Sequence, residues 1–398
     1  MNKKLSVTAL AIAIGAASSG VQAQDLEERV SALENTPLAN TNFDVGGFIK
    51  LDSHFTRATD GNSSASQEFL VPSAIPTGND NSNTNYNTNA KQSRIFFKTT
   101  SDTDIGEVGT YIEVDFRGAG GDENVSNSYG TRLRHAFMTF QDFTIGQTWS
   151  TFHDVSVLPE NLDFVGPVGT IFNRQAQIRY SPGNWDFAIE NPQSNLQDNI
   201  YDGEDDDREA SFDNGSMPDL VARYNVPLDS GHASVAVMGR EVSYEGDFGT
   251  NEDSREKAFG YGVSLSAKMP VGDSGSDIRA QLNGGNLGRY IALGAFDPGY
   301  IEDNGDVELI NQMGGYVSYR QVWTSQWRSN FTVSHVSSDN DDEMGNVMKS
   351  ASSAHANLIY SPISNLDLGG EVIWGDKELE SGSNGELHRL QFTAKLGF

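Results

Sequence analysis

The last nine residues, Leu390-Gln391-Phe392-Thr393-Ala394-Lys395-Leu396-Gly397-Phe398, alternate apolar with polar or small side chains and stop on an aromatic. A β-strand sends successive side chains to opposite faces, so Leu390, Phe392, Ala394, Leu396 and Phe398 share one face while Gln391, Thr393 and Lys395 share the other. A closing strand with one wholly apolar face is what a barrel wall between lipid and water requires.

The opposite end of the chain agrees. Lys3 and Lys4 precede an apolar run from Leu5 to about Ala17, and Val21-Gln22-Ala23 forms a small-x-small site, so residues 1–23 read as a secretory signal cut after Ala23. No later stretch approaches the ~20 continuous apolar residues of a transmembrane helix. Only 37% of residues are hydrophobic although aromatics reach 10%, which suits a barrel whose lumen and loops are wet. The absence of cysteine removes disulfide and thiolate chemistry. Formal charge is 27 − 55 = −28, or 25 − 55 = −30 without Lys3 and Lys4, and such acidity argues against nucleic acid as a partner.

Residues 24–42 read as a short periplasmic helix and linker. Leu26, Val30 and Leu33 have the spacing of a coiled-coil seam and Pro37 ends it, although a chance spacing in a plain linker fits as well. From Phe43 to Phe398 roughly sixteen strand-like segments follow, joined alternately by short and long connections. The short ones, such as Ser181-Pro182-Gly183-Asn184 and Ser361-Pro362-Ile363-Ser364, carry tight-turn residues. Long loops are expected near 58–90, 118–130, 150–173, 192–218, 244–256, 288–309, 337–350 and 376–386, facing outside the cell. Trp185, Trp323 and Trp327 sit beside short turns, where an interfacial aromatic girdle belongs. The fold class expected is an all-β, transmembrane antiparallel barrel of about 16 strands in the outer membrane of a Gram-negative bacterium.

With the apolar parity facing lipid, the opposite face carries Arg94, Lys98, Arg132, Arg134, Arg179, Arg223, Arg240, Arg279, Arg320, Arg328, Arg389 and Lys395. Arginine in a water-filled pore selects anions, and its planar fork suits carboxylate or phosphate. The competing reading is that these cations pair with Glu113, Asp115, Glu190, Glu371 and other lumen acids. The segment from Ser150 to Phe172 is more apolar than the other loops and is expected to fold inward and narrow the barrel, with Asp154, Glu160 and Asp163 opposing the basic wall. A loop that latches a neighbouring subunit is the alternative.

The stretch GQTWSTFHDVSVLPENLDFVGPVGTIFNRQAQIRYSP, Gly146 to Pro182, resembles the central signature of the DcaP-like trimeric outer-membrane porins. Gly47-Phe48-Ile49-Lys50-Leu51-Asp52, Arg132-Leu133-Arg134-His135-Ala136-Phe137 and Ala188-Ile189-Glu190-Asn191-Pro192 resemble other strands of that family. The resemblance implies a sixteen-stranded barrel, a homotrimer, a short N-terminal coiled coil and passive uptake of small anionic solutes, dicarboxylates being the type. It also carries Arg132, Arg134, Arg174 and Arg179 over to the eyelet.

Other signals are weaker. Asp202–Asp207 and Asp339–Glu343 are acidic runs that solvation explains, and a bridge through divalent ions to lipopolysaccharide phosphates is an alternative. The seven histidines are scattered, with neither a His-Glu-x-x-His pair nor a Gly-x-Ser-x-Gly elbow, so no enzyme, cofactor or metal is expected. By parity His135 falls on the lipid face. The function expected is an anion-preferring porin; a general or weakly cation-selective porin and a plugged adhesive barrel are the alternatives. Its surroundings would be outer-membrane lipid and lipopolysaccharide.

Overall fold

A computed structural model describes residues 41–62, 68–79, 81–196, 210–211, 215–248, 251–302, 304–341 and 344–398. The expected signal, nearly all of the helical prefix and the Asp202–Asp207 run lie outside the described residues. The wall begins with β1 (Thr41–Ala58) and with β2, which comes in two pieces (Asn83–Asn89 and Arg94–Thr103). It continues through β3 (Gly106–Gly118), β4 (Gly130–Phe140), β5 (Phe143–Trp149), β6 (Arg174–Tyr180), β7 (Trp185–Glu190) and β8 (Asp219–Val226). The long hairpin of β9 (His232–Phe248) and β10 (Asn251–Val271) leads to β11 (Ser276–Gly285), β12 (Gln312–Val322) and β13 (Trp327–Ser338). β14 (Met348–Ile363), β15 (Leu366–Leu379) and β16 (Asn384–Gly397) finish it.

Each strand pairs antiparallel with the next, and β16 returns to β1 from Phe48 opposite Gly397 to Ala58 opposite Leu387. The result is a closed sixteen-stranded barrel, which leaves no open edge in a medium that cannot hydrogen-bond.

The faces are inverted relative to a water-soluble protein. Outward Val333, Leu282, Phe392 and Phe259 are exposed, whereas inward Gln391, Thr332, Ser318, Asn283 and Gln281 are buried. Water as the outer solvent would drive the opposite sorting, so the outer medium is lipid.

Three features depart from the sequence expectation. The β9–β10 ladder runs up to Phe248 opposite Asn251, so 244–248 and 251–256 are strand and not loop. Likewise Glu378 pairs with Asn384 at the top of β15–β16, and 83–89 is the upper half of β2. Beyond the lipid both faces of a strand meet water, and no apolar parity remains to mark it. Third, Glu113 pairs with His135 but Val114 pairs with Leu133, so Arg134 is an extra residue in β4. This β-bulge turns both Arg134 and His135 inward, which corrects the placement of His135 on the lipid face. The His135 ring meets Thr148 Oγ1 at 3.0 Å and lies edge-on to Trp149.

The barrel's seam ends on Phe398, whose N–H donates to Gly47 O and whose O accepts from Gly47 N. Deleting Leu396–Phe398 is expected to remove these bonds and the apolar end of β16, costing about 0.5–1.5 kcal/mol per hydrogen bond lost. The variant should fold with lower yield, seen as a smaller compact, heat-sensitive band in unheated electrophoresis; an unchanged yield would show that the seam closes without it.

Candidate functional site

Three connections enter the lumen. Phe152, Val168 and Ile171 from the segment 150–173, Leu70 and Ile75 from the β1–β2 connection, and Leu287, Tyr290, Ile291 and Phe296 from the β11–β12 connection form one buried cluster with inward wall residues. Glycines on the wall leave room for them. A Cβ on Gly262 would stand 3.1 Å from the Phe152 ring, one on Gly375 would meet Leu70 Cδ1 at 2.9 Å and one on Gly369 would meet Leu162 Cδ1 at 2.8 Å. Gly169 brings main chain against main chain: its Cβ would lie 2.5 Å from Gly315 N. Its N–H donates to Ser334 Oγ at 2.8 Å.

Polar anchors fix the 150–173 segment further. Glu371, fully buried on β15, accepts from Leu162 N at 2.7 Å and from Asp163 N at 3.2 Å. Lys50 donates to Leu162 O at 2.8 Å. Each of the three loop acids singled out in the sequence is bonded directly to the wall. Asp154 meets His232 Nε2 at 2.6 Å and accepts from Ser234 Oγ at 2.7 Å. Burial pushes the Asp154 carboxyl up, but the bonds from Ser156, Ser234 and His232 outweigh it and hold the group below the usual carboxylate range. Glu160 pairs with Arg328 at 2.6 Å and Arg320 at 3.4 Å. Asp163 accepts from Arg389 at 3.2 Å and from Leu70 N at 2.9 Å. These carboxylates tether the segment rather than facing a basic wall across open space, which corrects the transverse arrangement expected from sequence.

The wall cations fall into two groups. Arg223 forks onto Asp186 (2.8 Å), Arg279 pairs with Asp277 (2.6 Å), and Arg320 and Arg328 share Glu160. Arg240 is buried, donates to Gln193 O at 2.7 Å and lies 3.9 Å from Asp219. For this group the reading of pairing with lumen acids holds, as it does for Arg132 and Arg134, whose partners are the named Glu113 and Asp115. Glu190, also named for such a pairing, instead accepts from Thr151 N.

The second group gathers on β2, β3, β4 and β6. Arg132 forks onto Asp115 (2.7 and 3.0 Å), and Arg134 bridges Glu113 (2.6 Å) and Asp115 (3.1 Å). Arg94 lies 3.8 Å from Glu113. Glu68 serves both Lys91 and Arg117. Arg174 has no ion pair among the described residues; it stacks 4.4 Å over Trp149 and 5.5 Å over Phe172, within electrostatic range of Arg134, Arg132 and Arg94. This linked set counts six cations (Lys91, Arg94, Arg117, Arg132, Arg134, Arg174) against three carboxylates (Glu68, Glu113, Asp115), an excess of 6 − 3 = 3 positive charges. Burial pulls neighbouring His153 down to about 3, so that ring is neutral and adds nothing to the excess.

Among the described residues Arg179 bonds Gln177 Oε1 and Trp149 O and has no ion pair, and Lys98 is exposed, likewise with no ion pair. Lys395 lies 4.8 Å over the Phe48 ring. Sequence reasoning did not assign the site Lys50, Lys91, Arg117 or Phe164. The Phe164 ring stands 4.8 Å from Arg117, 5.5 Å from Arg132 and 5.9 Å from Arg134, and covers the basic set. The apolar character of its segment was the available signal; its arginine partners lie on other strands and left none.

A sequence profile of the family described as DcaP outer membrane protein matches residues 23–398. Among solved structures, the outer membrane channel DcaP of Acinetobacter baumannii superposes with a TM-score of 0.75 at 21% identity, covering 90% of this chain and 98% of that one. The anion-selective porin from Comamonas acidovorans gives a TM-score of 0.55 at 11% identity, covering 90% of this chain and 100% of that one. No curated protein matches. The closed, lipid-facing barrel and the match over nearly its whole length place this chain in the DcaP outer membrane protein family, as an outer-membrane porin.

Proposed function

We propose that this porin passes small negatively charged solutes by diffusion, with dicarboxylates as the solute class, through a passage that the 150–173 segment narrows. The observation that carries this reading is the excess of three positive charges on β2–β6, beside the partly exposed Arg94, Arg132 and Arg174. A water-filled passage with fixed guanidinium groups lowers the energy of an anion and raises that of a cation. Two carboxylates on one solute could engage two of these arginines in turn. We propose a homotrimer as well, because closed cyclic symmetry is the usual outcome for subunits with self-complementary faces, and contact of its outer rim with lipopolysaccharide.

A general or weakly cation-selective porin has one observation in its favour, the neutralisation of Arg223, Arg279, Arg320 and Arg328 by bonded carboxylates. The reversal potential in a planar bilayer under a KCl gradient separates the readings. Anion selectivity that weakens in Arg132→Gln/Arg174→Gln is expected; cation selectivity, or selectivity indifferent to the two substitutions, would sink the basic-patch assignment. Arg134 is unsuited to this test. Breaking its buried pairs costs about 3–5 kcal/mol by leaving carboxylates uncompensated, so Arg134→Gln should show chiefly as a lowered unfolding midpoint.

The tether at Glu371 gives an independent check of the narrowing segment. Glu371→Gln keeps the shape but removes the charge that holds Leu162 N and Asp163 N, and about 1–3 kcal/mol of stability should go with it. Its open-channel current should fluctuate more than that of the wild type. Noise at the wild-type level, in a variant whose unfolding midpoint has fallen, would mean that the segment does not bound the conducting path.

A further inference from the structure

We infer that Leu287–Ala292, in the β11–β12 connection, is a second constriction element clasped edge to edge with the 150–173 segment, and that Tyr290 is the positioning residue holding the clasp to the wall. The inference rests on the porin reading and goes beyond it by assigning the narrowing to two segments instead of one.

The clasp is a piece of antiparallel sheet inside the barrel. Ile171 pairs with Ile291, Phe172 N donates to Tyr290 O at 3.0 Å and Ala292 N donates to Thr170 O at 3.4 Å. Ile171 and Ile291 are both fully buried. One segment leaves the wall between β5 and β6 and the other between β11 and β12, six strands farther around a ring of sixteen, so their junction bridges the lumen between well-separated parts of the wall.

Tyr290 fixes that junction. Its hydroxyl donates to Asp219 Oδ2 at 2.6 Å and accepts from Gln175 Nε2 at 2.7 Å, which ties the clasp to β8 and β6 together. Burial, helped by the Asp219 charge, pushes the phenol well above its ordinary range, so it remains a proton donor. Arg289 adds a bond to the same Asp219 oxygen at 3.1 Å. Immediately after the paired strip, Ala292 and Leu293 take φ of 52° and 61°, a left-handed conformation that side-chain-bearing residues adopt rarely. Two such residues in succession persist where the surrounding contacts over-determine them, and here the clasp supplies those contacts.

The chain contains no cysteine, so a disulfide can be introduced cleanly. Facing residues of an antiparallel pair have Cα atoms about 4.5–5.5 Å apart, inside the range of about 4.4–6.8 Å that a disulfide spans. Ile171→Cys/Ile291→Cys should cross-link on oxidation in the folded barrel, read as a mobility shift on non-reducing gels. In a bilayer its open-state fluctuations should be lost when oxidised and return when dithiothreitol is added. Tyr290→Phe should raise unitary conductance and noise. A folded, heat-modifiable barrel that does not cross-link would overturn the clasp. A cross-linked channel with wild-type noise before and after reduction, or a folded Tyr290→Phe with wild-type conductance and noise, would overturn its role in the constriction. Cross-linking on gels together with no current from the wild-type protein would count against the porin reading instead.

Discussion

Every main-chain N–H and C=O that lies in hydrocarbon must find a partner within the protein, since lipid offers none. The sixteen-strand ladder closed from β16 to β1 is the solution this chain adopts, and the remaining features are arranged around it. Even its local fault obeys the rule. Where Arg134 bulges out of register in β4, the side chain of Gln147 on the adjacent strand reaches toward the carbonyls of Leu133 and Arg134, beyond the last pair of the β4–β5 ladder at Ala136. The bulge also places two successive residues, Arg134 and His135, on the inner face. Arg134 thereby joins the basic set without any charge being turned toward lipid.

A barrel wall that is apolar outside must be polar inside, and that polarity is used here for attachment as much as for conduction. Glu160, Asp163 and Glu371 form charge-assisted bonds of the kind that hold best when desolvated, and each joins a loop segment to the wall. Once spent in this way, such groups no longer contribute a free charge to a passing ion. The electrostatic character of the lumen therefore depends on which cations lack a bonded carboxylate, and the census of strand arginines is a poor guide to it. Arg174 illustrates the point: its partners are the faces of Trp149 and Phe172, which leave its net charge uncancelled.

The membrane-spanning half of each strand was legible because lipid and water impose a period of two on the side chains, as in Phe259, Tyr261, Val263 and Leu265. Above the lipid the β9–β10 hairpin continues with no such signal, and it reads as loop. The inward course of 150–173 was foreshadowed by its apolar composition. That of Leu287–Ala292 was not read, although Tyr290-Ile291-Ala292-Leu293 is an unbroken apolar run, because the run is short and the Asp297-Pro298-Gly299 that follows it reads as a solvated turn. The least legible element is the capture of Leu162 and Asp163 by Glu371. Those residues are separated by 209 and 208 positions, and nothing local in either segment announces the other.

The same distinction between local and total charge applies to the acidity of the molecule. A formal charge of −28 favours cations in sum, yet exposed charges act over a Debye length of about 8 Å at physiological ionic strength. Carboxylates on the long outer connections thus set the ionic atmosphere at the mouth, while the energy of an ion at the narrowest point is set by groups within a few ångströms of it, where low-dielectric walls weaken screening. In the passage proposed above, those groups are the guanidinium ions of β2–β6, in excess over carboxylates and flanked by aromatic rings. An acidic protein can in this way present a basic passage, and raising the salt concentration should mute the contribution of its loops before that of its arginines.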